Sequence, residues 1–265
     1  MDVAAYLKRI TYNGSTTPTL ETLQGLHRAH LRAVPFENLD IHLGRAIVLD
    51  PTGFYRKIVE ERRGGFCYEM NGLFAALLQN LSFQVTLLSA GVGRKDGSFG
   101  PEFDHLALLV ELDQPYLVDV GFGDGFREPL RLELEVEQVQ NGRAYRFIQA
   151  AQRWTLQEQT PEKLWENQYS FSFQPRQLAD FAGMCQFHQT SPDSSFPRRP
   201  VCVITTPTGK VQLIQNQLAI QNGTERQERV LAGPAEYISA GQQYFGLELA
   251  RYRPWIAEWS FFKAQ

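Results

Sequence analysis

Cysteine is scarce in this chain of 265 residues. There are three, Cys67, Cys185 and Cys202, an odd number at no metal-ligand spacing. That excludes a disulfide framework and a thiolate zinc site, and it points to a reducing compartment. Histidine is nearly as scarce, at five. His27 and His30 lie three apart on an expected helix, but no carboxylate or third histidine completes a metal set. They read as surface or capping residues, as do the isolated His42 and His188, and no metal is expected. No apolar run approaches the length of a membrane-spanning helix. Met1-Asp2-Val3 shows no basic region ahead of an apolar core, so no signal peptide, no membrane partner and a cytoplasmic location are expected. A basic face is missing too: the net charge is −3, and Arg62-Arg63 and Arg198-Arg199 are isolated pairs. Nucleic acid is therefore not an expected partner. Asn222-Gly223-Thr224 fits a glycosylation sequon, which in a cytosolic protein is chance. Repeats and low-complexity segments are absent. What remains, 43% hydrophobic, suits one large soluble domain or two or three small ones around a shared core.

One of the three cysteines stands where a turn becomes a helix. In Arg62-Arg63-Gly64-Gly65-Phe66-Cys67-Tyr68-Glu69-Met70-Asn71-Gly72-Leu73-Phe74, apolar residues recur from Met70 at 73, 74, 77, 78 and 81, the spacing of an amphipathic helix. Gly64 and Gly65 are read as permitting a tight backbone ahead of the first turn. Cys67 then lies at or beside a helix start, where unpaired N–H groups and the positive end of the helix dipole favour a thiolate. The competing reading is a small buried hydrophobe.

Partners for a nucleophile lie downstream. Asp104 to Leu112 reads as a buried strand beginning at His105, Asp113-Gln114-Pro115 as a turn, and Tyr116-Leu117-Val118-Asp119-Val120 as a second strand ending at Gly121-Phe122-Gly123. An aspartate inside an apolar run needs a partner. Cysteine, histidine and aspartate form a nucleophile, a base and an orienting group. A simple two-residue loop at Gln114-Pro115 would set Asp119 opposite Val110 rather than near His105. Joining them requires a bulge, a twist or a looser turn.

Six ordered segments, the first two taken together as one match, resemble the arylamine N-acetyltransferase family. They are the opening stretches Tyr6 to Ile10 and Pro18 to Leu23, Val34-Pro35-Phe36-Glu37-Asn38-Leu39-Asp40, Arg63 to Gly72, Val118 to Gly123, and Thr190 to Phe196. The resemblance implies an α+β fold of three domains: a helical bundle over 1–84, a β-barrel over 85–185 and an α/β lid over 186–265. It implies a papain-like triad of Cys67 as acyl-accepting nucleophile, His105 as base and Asp119 as orienter. It further suggests Phe36 and Phe122 as walls for an aromatic amine, and a structural ion pair between Glu37 and Arg63. Asp193 and Phe187 lie near positions where some members contact coenzyme A, and no role is carried to them. The implied activity is ping-pong acetyl transfer from acetyl-CoA, as co-substrate rather than resident cofactor, to an arylamine, hydrazine or N-hydroxyarylamine, a chemistry of xenobiotic metabolism. An amide synthase of the same family in natural-product biosynthesis, a papain- or transglutaminase-like cysteine hydrolase, and a binding module with an inert triad are the alternatives. Monomer and dimer both stay open.

The change of period sets the organisation. Residues 1 to about 84 read as mostly helical, and 83 to about 159 as strands, including Val85 to Leu88, Tyr145 to Ile148 and Trp154 to Leu156. Pro175 to Phe187 reads as a short helix, Val201 to Ile214 as a hairpin around Thr208-Gly209-Lys210, and Gly233 to Tyr237 as the start of a final helix. Gly121-Phe122-Gly123-Asp124-Gly125 lacks the spacing of a nucleotide-binding glycine loop and reads as a strand exit.

Overall fold

The computed structural model describes residues 1–263. The first part is helical. Helix α1 (Val3–Arg9) is capped by Asp2, and α2 (Leu20–Ala33) by Thr19, whose hydroxyl accepts from Thr22 N–H. The buried face of α2 carries Leu23, Leu26, His27, His30 and Leu31. The two histidines therefore lie on the apolar stripe, fully enclosed, and not at the surface where the sequence reading put them. After the two-residue strand β1 (Phe36–Glu37) come α3 (Leu39–His42) and α4 (Pro51–Tyr55). Asp50 caps α4, and Pro51 occupies its first turn, where a missing N–H costs nothing. A π-turn over Arg56–Glu60 follows, and then α5 (Cys67–Asn80).

The approach to α5 is built by close packing. Neither Gly64 nor Gly65 has a positive φ; the left-handed residue of this turn is Arg62, at φ 53°. A Cβ on Gly64 would lie 1.9 Å from the Pro35 carbonyl oxygen, and one on Gly65 would lie 2.8 Å from Glu69 Cβ. The glycines are thus required for space, not for the backbone freedom expected from sequence. The space is used by β1, whose Glu37 N–H donates to the Gly65 carbonyl at 2.9 Å.

The barrel comprises β2 (Gln84–Val92), β3 (His105–Glu111), β4 (Pro115–Val118), β5 (Leu130–Arg131), β6 (Gln138–Gln140), β7 (Arg143–Ala150), β8 (Arg153–Gln159) and β9 (Trp165–Phe171). All pairings are antiparallel, in the order β5-β4-β3-β2-β9-β8-β7-β6. The two outermost strands approach each other and are joined by glutamine side chains. Gln140 accepts from the N–H groups of Arg127 and Glu128, and Gln138 exchanges two bonds with the Arg131 backbone. Strand β3 has two buried faces, which explains its unbroken apolar run. Leu106, Leu108 and Val110 pack in the helical core, while Ala107 and Leu109 face the barrel interior.

In the third part, α6 (Ala182–Thr190) precedes a five-stranded antiparallel sheet. Its later strands are β10 (Val201–Thr206), β11 (Gly209–Ile214), β12 (Gln217–Asn222) and β13 (Glu225–Val230). The expected hairpin is β10–β11. Its outer edge, β13, is exposed and rich in charge, which protects an edge from pairing with another chain. The opposite edge is β1, paired Phe36 with Val203 and Glu37 with Cys202. A segment early in the chain thereby completes the late sheet. Helix α7 (Pro234–Phe245) closes this layer over Cys202, Leu213 and Leu218, and ends at Gly246 with φ 66°.

Packing distinguishes two glycines. Gly64→Ala should lower stability by at least about 2 kcal/mol, because a backbone oxygen blocks the new methyl. Gly183→Ala, in open space on α6, should raise it by up to about 1 kcal/mol. Urea unfolding of both variants checks this; equal midpoints would contradict the steric account.

Candidate active site

Strand register brings His105 and Asp119 together. Leu108 pairs with Val118 and Val110 with Tyr116, so the β3–β4 loop holds three residues, Leu112 to Gln114, instead of two. Extending the count by one sets Asp119 opposite Ala107, on the same face as His105 and two residues from it. The shorter loop would have put Asp119 on the other face, since side chains alternate. His105 Nε2 and Asp119 Oδ2 are 2.7 Å apart, with both residues buried.

Asp119 is held from three directions. Besides His105, its Oδ1 accepts from Asn71 Nδ2 at 2.8 Å and from the Gly121 N–H at 2.9 Å. Burial pushes the carboxyl up, but the charge and hydrogen bond of His105, with the bonds from Asn71 and Gly121, more than offset that and hold it below the usual range. Asn71 is fully buried; its amide also donates to the Leu106 carbonyl at 2.7 Å, and its Oδ1 accepts from the Val120 N–H at 2.9 Å. The sequence reading quoted Asn71 only as part of a motif. The available signal was its position four residues after Cys67, one turn along the same helix face.

Cys67 is the first residue of α5, as the helix start implied, so its N–H has no intrahelical acceptor. The expected ease of ionisation is not what its surroundings provide. Burial pushes the thiol well up, and the Leu106 backbone N–H opposes this only in part. Desolvation outweighs the helix start and disfavours a lone thiolate here. Cys185 and Cys202 are also buried, and burial raises both thiols, Cys185 to about 12. Gly121 packs on the Cys67 backbone: a Cβ there would meet Cys67 Cα at 2.8 Å.

Cys67 and His105 line one cavity of about 230 Å³ with Phe36, Phe122, His188 and Phe196. Both phenylalanines named from sequence are in this wall. Phe122 stands 5.1 Å from the His105 ring, edge to face. His188, read from sequence as an isolated surface or capping residue, is buried, with Nε2 3.1 Å from Asp104 Oδ1. A second cavity of about 120 Å³, lined by Arg28, Arg32 and Arg127 among others, contains neither Cys67 nor His105. Asp124, the nearest other carboxylate in the loop, is engaged by Arg127, Arg143 and Lys210.

Behind the nucleophile turn lies a buried ionic cluster. Arg63 Nη2 is 2.7 Å from Glu37 Oε1 and 3.1 Å from Asp40 Oδ1. Lys57 Nζ is 2.9 Å from Asp40 Oδ2 and 2.8 Å from Glu69 Oε1. Glu69 Oε2 in turn accepts the Phe66 N–H at 3.1 Å, tying the peptide just ahead of Cys67 to the cluster. Removing one partner of such a buried set costs about 3–5 kcal/mol. Among the described residues, no group of three histidine, cysteine or acidic side chains is arranged to hold a metal ion, and no helix is long and apolar enough to cross a membrane.

Helices, a nearly closed barrel and a covering sheet bring together a cysteine, a histidine and an aspartate, the residue set of enzymes that use a cysteine nucleophile. The particular family follows from comparison. An N-acetyltransferase family model matches residues 19–253. An arylamine N-acetyltransferase of Mycolicibacterium smegmatis is 34% identical over 256 residues, 94% of this chain and 93% of that protein. A pineal gland arylamine N-acetyltransferase of Gallus gallus is 36% identical over 81% of each chain. The solved arylamine N-acetyltransferase of M. tuberculosis superposes with a TM-score of 0.90 at 32% identity, over 97% of this chain and 100% of that one. That of Mycobacterium marinum, solved in complex with CoA, gives 0.89 at 32% over 97% of each. This chain belongs to the arylamine N-acetyltransferase family.

The depressed Asp119 carboxyl makes a signed prediction. Its bonds stabilise the fold above the unfolded carboxylate value of about 3.9, and that stabilisation is lost as pH falls through the lower folded value. The stability difference between wild type and Asp119→Asn should therefore shrink below about pH 4. Urea midpoints from pH 6 downward check this; a difference constant with pH would contradict it.

Proposed function

We propose that this protein acetylates arylamines, hydrazines or N-hydroxyarylamines from acetyl-CoA through a thioester on Cys67. The observation that carries the reading is the shared cavity of Cys67 and His105 with Asp119 bonded behind the imidazole. His105 Nε2 is committed to Asp119, which leaves Nδ1 as the nitrogen for the thiol proton. Asp119 fixes that tautomer and stabilises the imidazolium. Because burial opposes a lone thiolate, the proton moves from sulfur to His105 and the two charges form together.

In the first half-reaction the Cys67 thiolate attacks the acetyl carbonyl of acetyl-CoA. The S–C bond forms, a tetrahedral oxyanion collapses, and coenzyme A leaves as a thiol carrying the imidazolium proton. The Cys67 backbone N–H, at the helix start, is the oxyanion donor available on this chain. In the second half-reaction the acceptor amine attacks the acetyl-cysteine carbonyl. Neutral His105 takes a proton from the amine, the C–S bond breaks, and the cysteine sulfur is released as in the resting state. One thioester replaces another, so the two half-reactions lie near balance. Phe36, Phe122 and Phe196 provide the aromatic wall suited to an arylamine. In the same reading the Glu37–Arg63 pair is structural, fixing the turn ahead of Cys67. The proposed division is a helical part to residue 84, a barrel to 185 and a lid from 186, the first boundary falling at the start of β2 and the second within α6, with β1 crossing from the first part to the third.

Two measurements test this. Incubation with acetyl-CoA should add one acetyl group to the intact mass of the wild type and none to Cys67→Ala, and an aromatic amine should remove it. Acetylation of Cys67→Ala, or an adduct that water removes as fast as the amine does, would contradict the assignment. Initial rates against both substrates should give parallel double-reciprocal lines; intersecting lines would mean a ternary complex without an acyl-enzyme.

A further inference from the structure

His27 is fully buried on α2 and takes no part in the proposed chemistry, yet it touches the catalytic loop twice. Its Nε2 lies 3.0 Å from the carbonyl oxygen of Asp119, and its Nδ1 lies 3.0 Å from the carbonyl oxygen of Arg127. The ring stacks on Phe126 at 5.6 Å and 7° and meets Phe74 edge-on at 6.3 Å. The two carbonyls are the ends of one loop, residues 119 to 127, which carries Asp119, Gly121 and Phe122. A single imidazole therefore stands between the two ends of the loop that delivers the triad carboxylate and one wall of the cavity.

Carbonyl oxygens only accept, and a neutral imidazole donates once. The surroundings decide which bond is made. The Asp119 carbonyl contact is buried, whereas the Arg127 contact is only partly so, and an unmet acceptor costs more where water is excluded. The Asp119 carboxylate, Glu128 and His30 are the titratable groups acting on the ring, and burial outweighs the favourable ones, pulling its pKa down to about 4. At neutral pH the ring is uncharged, and the buried Asp119 carbonyl has the stronger claim on its one proton.

We propose that His27 is a positioning residue for acetyl transfer: its Nε2–H holds the main chain of Asp119 and so sets the direction from which the carboxylate meets His105. The chain of contacts is His27 to the Asp119 carbonyl, and the Asp119 carboxylate to His105 Nε2. Strand β4 ends at Val118, so no ladder bond serves this carbonyl in place of the histidine. The proposal rests on the acetyl-transfer reading given above.

The test compares His27→Phe, which keeps a ring against Phe126 but has no donor, with His27→Gln, which restores an N–H. Single-turnover acetylation of Cys67 by acetyl-CoA is followed against pH. The expectation is a loss of about 10²-fold in the acylation rate of His27→Phe, the scale of a displacement near 1 Å at the reacting groups. Its pH midpoint should shift while the acetyl-CoA concentration giving half-maximal rate is unchanged, and His27→Gln should recover most of the rate. Wild-type rate and midpoint in the folded fraction of His27→Phe would overturn the proposal. A variant that does not fold leaves a measurement on the wild type: ¹⁵N spectra should show the His27 proton on Nε2, and a proton on Nδ1 would overturn the assignment. A wild type that takes no acetyl group fails the acetyl-transfer reading, whereas a wild type and His27→Phe acetylated alike fail this proposal alone.

Discussion

The structure turns on one buried carboxylate. Asp119 lies where a lone negative charge would be strongly disfavoured, and its place is sustained by donors from three separate parts of the chain. Asn71 comes from the helix that begins at Cys67, His105 from the first residue of β3, and the Gly121 N–H from the loop that follows. Each bond is short-ranged, so satisfying the carboxylate fixes helix, barrel and loop relative to one another. The same amide of Asn71 also bonds Leu106 and Val120. A displacement of α5 against the barrel would break several of these bonds at once.

The second constraint is desolvation at Cys67. A helix start favours an anion by a few tenths to about 1 kcal/mol in exposed settings, and burial of this depth works against it more strongly. The reactive form in the proposed reaction is thus made by the pair of groups across the cavity and not by the helix. The ionic cluster behind the turn has a different task. Arg63 and Lys57 sit among Glu37, Asp40 and Glu69, all almost wholly enclosed, and the half-buried Arg45 reaches Asp40 at 3.7 Å as a third cation. Through the Glu69 bond to the Phe66 N–H they hold the peptide that leads into Cys67. Rigidity there and the proposed proton transfer at His105 are separate contributions.

Much of this was legible in the sequence. The period of three and four from Met70 located α5, and the apolar run after His105 located β3. The family resemblance supplied the barrel and the α+β class. What escaped had little local signal. Strand β1 has two residues and is defined by partners about 165 positions away. Strand β13 has no apolar alternation because it is an exposed edge. His27 and His30 were read as surface groups because their polarity was weighed above their place at 27 and 30 in a stripe with Leu23, Leu26 and Leu31. The junction of His105 with Asp119 depended on a three-residue loop, and one residue fewer or more inverts the face. Gly64 and Gly65 were rightly singled out for the wrong reason, since crowding by Pro35 and Glu69 is invisible until the chain is folded.

The central claim is that His105, held by Asp119, and not the helix start, supplies the Cys67 thiolate. Thiolate ultraviolet absorbance, taken as the difference between wild type and Cys67→Ala across pH, measures it directly. The account predicts a thiolate step in the wild type that moves to higher pH, or disappears, in His105→Gln. A step that stays at the same pH without the imidazole would contradict it.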